Sequence, residues 1–238
     1  MMQLQLALQL ICWAIGLPLG LLVIAALLRG GYRLFPVLFV YEIIDLLMTV
    51  AGMPPYIAYY FQHEAAARAQ MAQWSWWDDL LLLPLVLAVV IGLIFRATEN
   101  IRSRRMMRAA SIGYAALVAG VSFFIHYGPE MPKGVWMALW IRDLNFFGSA
   151  VLDLALWALL LWSRSKDSRL LLVSGGLGIQ FTGDAIGDSL RSMAVLHRSK
   201  TLSFTGSFIT TLVDLLSVYI IWQAFRNYKG ENAKRAAV

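Results

Sequence analysis

Apolar positions along the chain gather into seven runs of about 20 residues, each long enough to cross roughly 30 Å of hydrocarbon at about 1.5 Å per helical residue. The runs fall at 6–28, 35–57, 78–97, 107–127, 135–162, 170–194 and 204–226, and the connections between them are short and polar. The pattern predicts an all-α integral membrane protein, a bundle of seven transmembrane helices forming one polytopic domain over residues 1–238, with 227–238 as a short tail. The first run follows a start without positive charge and is longer than a signal-peptide core, so it is expected to remain as the first helix. Residues 62–73 are alanine-rich with scattered charge and are expected as a short surface helix leading into Trp74, Trp76 and Trp77, an interfacial aromatic anchor. Asp78 and Asp79 follow at the mouth of the third span, Met131 and Pro132 separate the fourth and fifth, and 197–200 is a polar turn.

Polar residues inside the runs sort onto helical faces at about 100° per residue. The sixth span is the clearest. In Gly178–Ser192, GIQFTGDAIGDSLRS, the residues Gln180, Asp184, Asp188 and Arg191 share one face, and Gly183 and Gly187 form a small-xxx-small pair beside it. Equivalent stripes are Glu42, Asp45, Thr49, Gly52 and Tyr56 on the second span; Arg142, Asn145, Ser149 and Asp153 on the fifth; and Ser207, Thr211, Asp214 and Ser217 on the seventh. The third span is wholly apolar from Leu80 to Phe95, and the fourth carries a ridge of small residues at Ala109, Gly113, Ala116 and Gly120. The second, fifth, sixth and seventh spans are therefore expected to line a polar interior, with the others as its apolar wall.

Carboxylates cannot face lipid cheaply, so Glu42, Asp45, Asp143, Asp153, Asp184, Asp188 and Asp214, with Arg142, Asn145 and Gln180, are the candidate polar core. Counting the rise from each end of the spans places Arg142 and Asp184 at similar depth and predicts an ion pair between them, with Asp188 and Asp143 nearby. The acids outnumber the one arginine inside a span, so several must carry a proton or hold a cation. Thr49, Ser149, Thr211 and Ser217 also have a plainer reading as interhelical hydrogen-bonding groups, each contributing about 0.6 kcal/mol.

Composition supports the membrane assignment: 60% of the 238 residues are hydrophobic and only 14% charged, with a mean hydropathy of +0.67. A net charge of +6 raises the question of nucleic acid, but its distribution answers differently. Every second connection is basic: Arg29 and Arg33; Arg96, Arg102, Arg104, Arg105 and Arg108; Arg164, Lys166 and Arg169; and Arg226, Lys229, Lys234 and Arg235. Fourteen of the 20 Lys and Arg residues thus fall on one side, against Arg68, Lys133, Arg191, Arg198 and Lys200 on the other. By the positive-inside rule the N-terminus is outside and the C-terminus cytoplasmic, in the plasma membrane (in bacterial terms the inner membrane), as a multi-pass protein with no nucleic-acid partner.

The single Cys12 allows no disulfide, and His63, His126 and His197 are too scattered to chelate a metal. Asp78 ahead of Pro84, and Asp214 on the last span, give a loose likeness to microbial rhodopsins. That family requires a retinal-bearing lysine in the last helix; the residue four after Asp214 is Val218, and Lys200 and Lys229 lie outside the span, so a retinal Schiff base is excluded and no cofactor is expected. The general form resembles, in topology alone, the seven-span sensor modules that precede bacterial kinase domains. No nucleophile is paired with a base at a recognisable spacing, which makes an enzyme the weakest class. The expected function is receptor- or sensor-like, or accessory. In this reading an acid-rich core responds to a small ligand, ion or proton and passes a helix shift to a cytoplasmic partner or a second copy of the chain. The alternative is a proton or small-cation transporter or channel using the ladder Asp188, Asp184, Asp214, Asp45, Asp153 and Glu42, with a bend available near Gly175, Gly176 and Gly178.

Overall fold

The computed structural model describes residues 2–62, 65–99, 101, 103–128, 133–162 and 167–226. Met131, Pro132, Arg102, Arg164, Lys166, His63 and the tail 227–238 lie outside them. Apart from short turns the described residues are helical, with no strand among them, and seven helices are long and apolar enough to cross a membrane. The spans are Leu6–Leu28, Pro36–Phe61, Ala69–Ala97, Arg104–His126, Leu139–Trp162, Ser168–Ala194 and Lys200–Phe225, which marks a multi-pass membrane protein.

In chain order the elements are α1 (Met2–Leu28), a 3-10 turn (Gly31–Arg33), α2 (Pro36–Gln62), α3 (Ala65–Ala97), α4 (Arg104–His126), α5 (Lys133–Asp143), a π-helical turn (Leu144–Ala150), α6 (Val151–Trp162), α7 (Ser168–His197) and α8 (Lys200–Phe225). Pro18, Pro54, Pro55 and Pro84 lie inside helices, as membrane helices tolerate where neighbours re-satisfy the freed backbone. The alanine-rich stretch expected as a separate surface helix is instead the start of α3. Its strong helix formers continue into the span without a breaker, giving one 33-residue helix about 50 Å long.

The helices divide into two compact units, α1, α7 and α8 in one and α2 to α6 in the other. In the first, α7 and α8 form an antiparallel pair joined by a tight turn. Arg198 takes a left-handed conformation (φ 49°), Ser199 N–H bonds back to the Ala194 carbonyl at 2.9 Å, and the Ser199 hydroxyl accepts from Leu202 N–H at 3.3 Å to cap α8. The glycines of α7 lie on α8. A Cβ at Gly183 would meet the Val213 side chain, one at Gly187 would meet Thr210 and the Gly206 carbonyl, and one at Gly176 would approach the Ser217 carbonyl at 3.2 Å. The glycines thus serve close helix approach, and α7 runs through Gly175, Gly176 and Gly178 as one uninterrupted helix. Helix α1 packs on α8 through Gly16 against Leu215, and Phe35 meets the fully buried Phe225 edge-on at 5.3 Å.

In the second unit α3 is the spine. It runs antiparallel to α2, with Gly52 under the Trp74 indole near one end and Val37 against Gly92 near the other. The π turn touches it where Gly148 meets Leu87. At its C-terminal end the Arg108 guanidinium donates to the Phe95 carbonyl at 2.7 Å and lies 5.0 Å from the Phe95 ring, fixing the corner between α3 and α4. Thr98, fully buried, donates to the Ile94 carbonyl at the same corner. The small-residue ridge of α4 is not a packing face within the unit: Ala109, Gly113 and Ala116 are exposed, and a Cβ at Gly113 or Gly120 would meet nothing within 4 Å.

Candidate functional site

The second unit gathers the buried polar groups. Glu42 is 2% exposed although it carries a carboxyl, and its Oε1 finds no hydrogen-bond partner among the described residues. One turn on, half-buried Asp45 lies within electrostatic range of Glu42 and also of Asp78, which projects from α3. Asn145, Ser149 and Asp153 are buried on the π turn and the first turn of α6. The Asn145 Oδ1 and Ser149 Oγ atoms are likewise without hydrogen-bond partners among the described residues. Buried acceptors are nearly always satisfied in proteins, so an orphan marks a place where water, a proton or a ligand is needed.

Asn145 and Ser149 flank Gly148, which meets Leu87 of α3, and Glu42 lies on α2 between Val37, which meets Gly92 of α3, and Gly52, which meets Trp74. The π turn itself is held from the other side, where the Tyr114 hydroxyl donates to the Phe147 carbonyl at 2.8 Å. Such turns replace i→i+4 by i→i+5 bonding and recur at functional sites.

One member of the fifth span's stripe leaves the face. Arg142, on α5 before the π turn, is exposed while Asn145, Ser149 and Asp153 are buried. Its neighbour Asp143 accepts from the Ser122 hydroxyl at 2.8 Å and lies 2.8 Å from His126 Nε2, tying the end of α4 to α5. Trp140 donates to the Ala119 carbonyl at 2.8 Å beside them, and Phe123 stacks on Tyr127 with Trp136 edge-on. Ser122 and His126 thus fasten the end of α4 to Asp143. Asp143→Ala is expected to lower stability by about 1–2 kcal/mol, since it strands two donors, and Arg142→Ala by less than about 0.5 kcal/mol. Thermal unfolding in detergent compares the two.

In the first unit, Gln180 accepts from the Ser217 hydroxyl at 3.4 Å across the α7–α8 interface, and Asp188 pairs with Arg191 one turn along its own helix. Asp184 and Asp214 are half-buried on α7 and α8. The carboxyl ladder thus divides, with Asp184, Asp188 and Asp214 in one unit and Glu42, Asp45 and Asp153 in the other. Arg142 and Asp184 likewise belong to different units. Among the described residues no group of three or more His, Cys, Asp or Glu is placed to hold a metal ion.

Three residues outside the sequence-derived set belong to these clusters. Asp78 was visible as an acid directly after the tryptophan anchor, and Ser122 and His126 as an i, i+4 polar pair at the end of an apolar run. No family model matches the chain, and neither a curated protein nor a solved structure matches it.

Proposed function

We propose that this is a receptor- or sensor-like membrane protein, or an accessory subunit of that type, whose buried acceptors take up a proton, a small cation or a small hydrogen-bond-donating ligand. The observation that carries this reading is the presence in one unit of three buried oxygens without hydrogen-bond partners among the described residues, Glu42 Oε1, Asn145 Oδ1 and Ser149 Oγ, the last two on a π turn that meets α3. A carboxyl oxygen without a partner in an apolar segment is held at a cost that ligation or protonation lowers. That difference between empty and occupied states is the free energy available to shift a helix.

Helix α3 supplies the lever. It runs from the tryptophan-rich end, past the orphan acceptors, to the corner fixed by Arg108 and Phe95. The positive-inside rule puts that basic corner in the cytoplasm and the N-terminus outside, so a shift in α3 is delivered to the side where a protein partner binds. The setting is a multi-pass protein of the plasma membrane, equivalent to the bacterial inner membrane.

Reconstitution in proteoliposomes, with partner capture from the cytoplasmic fraction, tests the reading. The expected result is no proton or cation flux above empty liposomes, together with a captured partner whose retention changes in Glu42→Gln. Flux abolished by Asp184→Asn and Asp214→Asn establishes transport along the carboxyl ladder instead.

A further inference from the structure

Several hydroxyl groups on the regular helices of this chain bond to their own backbone. Thr182 and Ser189 of α7 and Ser207 of α8 each donate to the carbonyl four residues back, at 2.8, 2.7 and 3.1 Å, which is how a helix satisfies a hydroxyl without help from outside. Ser149 lies instead on the π turn, whose backbone is bonded i→i+5. It is fully buried, and its Oγ has no hydrogen-bond partner among the described residues. Thr210 Oγ1 is also bare, but there the Gly187 backbone comes so close that an added Cβ would collide with it, which leaves no space for a ligand.

Asn145 stands four residues before Ser149 on the same turn, a spacing that makes side chains neighbours on a helix face. It is 5% exposed, and its Oδ1 is likewise without a partner among the described residues. The turn is not filled to contact. A Cβ added at Gly148, between the two in sequence, would meet the Leu87 and Leu144 side chains at 3.5 and 3.7 Å, ordinary contact distances, so there is space on that side for a further atom. The same turn already takes a hydroxyl on its exposed side, where Tyr114 donates to the Phe147 carbonyl at 2.8 Å.

The chemistry of the pair selects its ligand. Asn145 Oδ1 only accepts, whereas the Ser149 hydroxyl also carries a hydrogen that needs an acceptor. A sodium or ammonium ion serves the first and leaves that hydrogen stranded; a hydroxyl group donates to Asn145 and accepts from Ser149 at once. We propose that the π turn binds one small neutral hydroxylic molecule, water or a short-chain alcohol, between Asn145 Oδ1 and Ser149 Oγ. The proposal rests on the reading of the second unit as a ligand-taking core and divides its acceptors, leaving a proton or cation to Glu42 and a neutral group to the turn. A molecule bridging buried polar groups in this way is an integral part of a fold.

Oxygen-17 relaxation dispersion of water counts molecules held for long times inside a protein. The full chain in nanodiscs is compared with Ser149→Ala and with Ser189→Ala, which removes a hydroxyl already bonded to its own helix. The signal is expected to fall by one internal molecule in Ser149→Ala, since a buried water needs at least two polar partners, and to hold in Ser189→Ala. Ethanol separates the sources: a wild-type signal brought down to the Ser149→Ala level shows that the turn takes an alcohol, and an unchanged one that it keeps water. No change in Ser149→Ala, or an equal fall in both variants, overturns the site. A wild-type signal brought to the Ser149→Ala level by sodium or ammonium gives the pair to a cation and overturns the proposal too. If Ser149→Ala does not fold, Asn145→Leu replaces it with the same expectation and the same contrary result. An unchanged signal in Ser149→Ala alongside a Glu42-dependent partner response defeats this inference alone, whereas the expected fall without such a response defeats the sensor reading and leaves the site standing.

Discussion

Gly187→Leu is expected to separate α7 from α8 and to be the most damaging single substitution in the first unit. A Cβ at this position runs into Thr210 and lies 2.9 Å from the Gly206 carbonyl, so the obstacle includes backbone that no rotamer change can clear. Gly206 stands in the same relation to Gly187, so the two helices meet backbone to backbone. Overpacking of a close interface costs about 1–3 kcal/mol, and the upper end applies where backbone must move. Gly183→Leu is expected to follow it closely, because the Val213 side chain fills the space on that side. Gly113→Ala and Gly120→Ala provide the contrast. Both positions are open, and alanine there is expected to be neutral or to stabilise α4 by about 0.5–1 kcal/mol. Thermal unfolding of purified protein, read by size-exclusion fluorescence, separates the pairs; equal effects at Gly187 and Gly113 contradict the packing described.

Glu42→Leu is expected to act in the opposite sense, raising stability while removing response. Leucine has similar bulk and no orphan oxygen, so the substitution removes an unsatisfied polar group of a kind that costs about 1–3 kcal/mol when buried. Residues kept in spite of such a cost are those on which function depends. Glu42→Gln keeps the shape and a carbonyl oxygen but cannot ionise, and is expected to fold normally while losing whatever proton or cation the carboxyl exchanges. If Glu42→Leu instead lowers the unfolding temperature by several degrees, Glu42 is architectural. Asp45→Asn and Asp78→Asn extend the test to two further carboxyls of the same unit.

The seven spans were legible in the sequence because length and hydropathy alone specify a membrane helix, and the described spans fall close to the apolar runs. The polar stripe of α2 was legible for the same reason, since a regular helix keeps Glu42, Asp45 and Gly52 in register. The fifth span broke that reasoning. Arg142 is exposed while Asn145 and Ser149 are buried, and no residue pattern in LeuAsnPhePheGlySerAla announces the π turn. The grouping of helices was also out of reach, because chain order does not say that α1 packs with α7 and α8. The contact of His126 with Asp143 was not legible, since the two residues come from different helices 17 positions apart.

The measurement that bears most directly on the account is infrared difference spectroscopy of the protein in lipid nanodiscs, following the carboxyl C=O stretch and the amide I band. Spectra are taken on a pH step and on adding sodium, potassium or ammonium, for wild type and Glu42→Gln. The account predicts a carboxyl band in at least one condition that is absent from Glu42→Gln, accompanied by an amide change as the helices around the π turn adjust. Identical difference spectra from the two proteins under every condition would contradict it, leaving Glu42 a silent buried group and the second unit a scaffold.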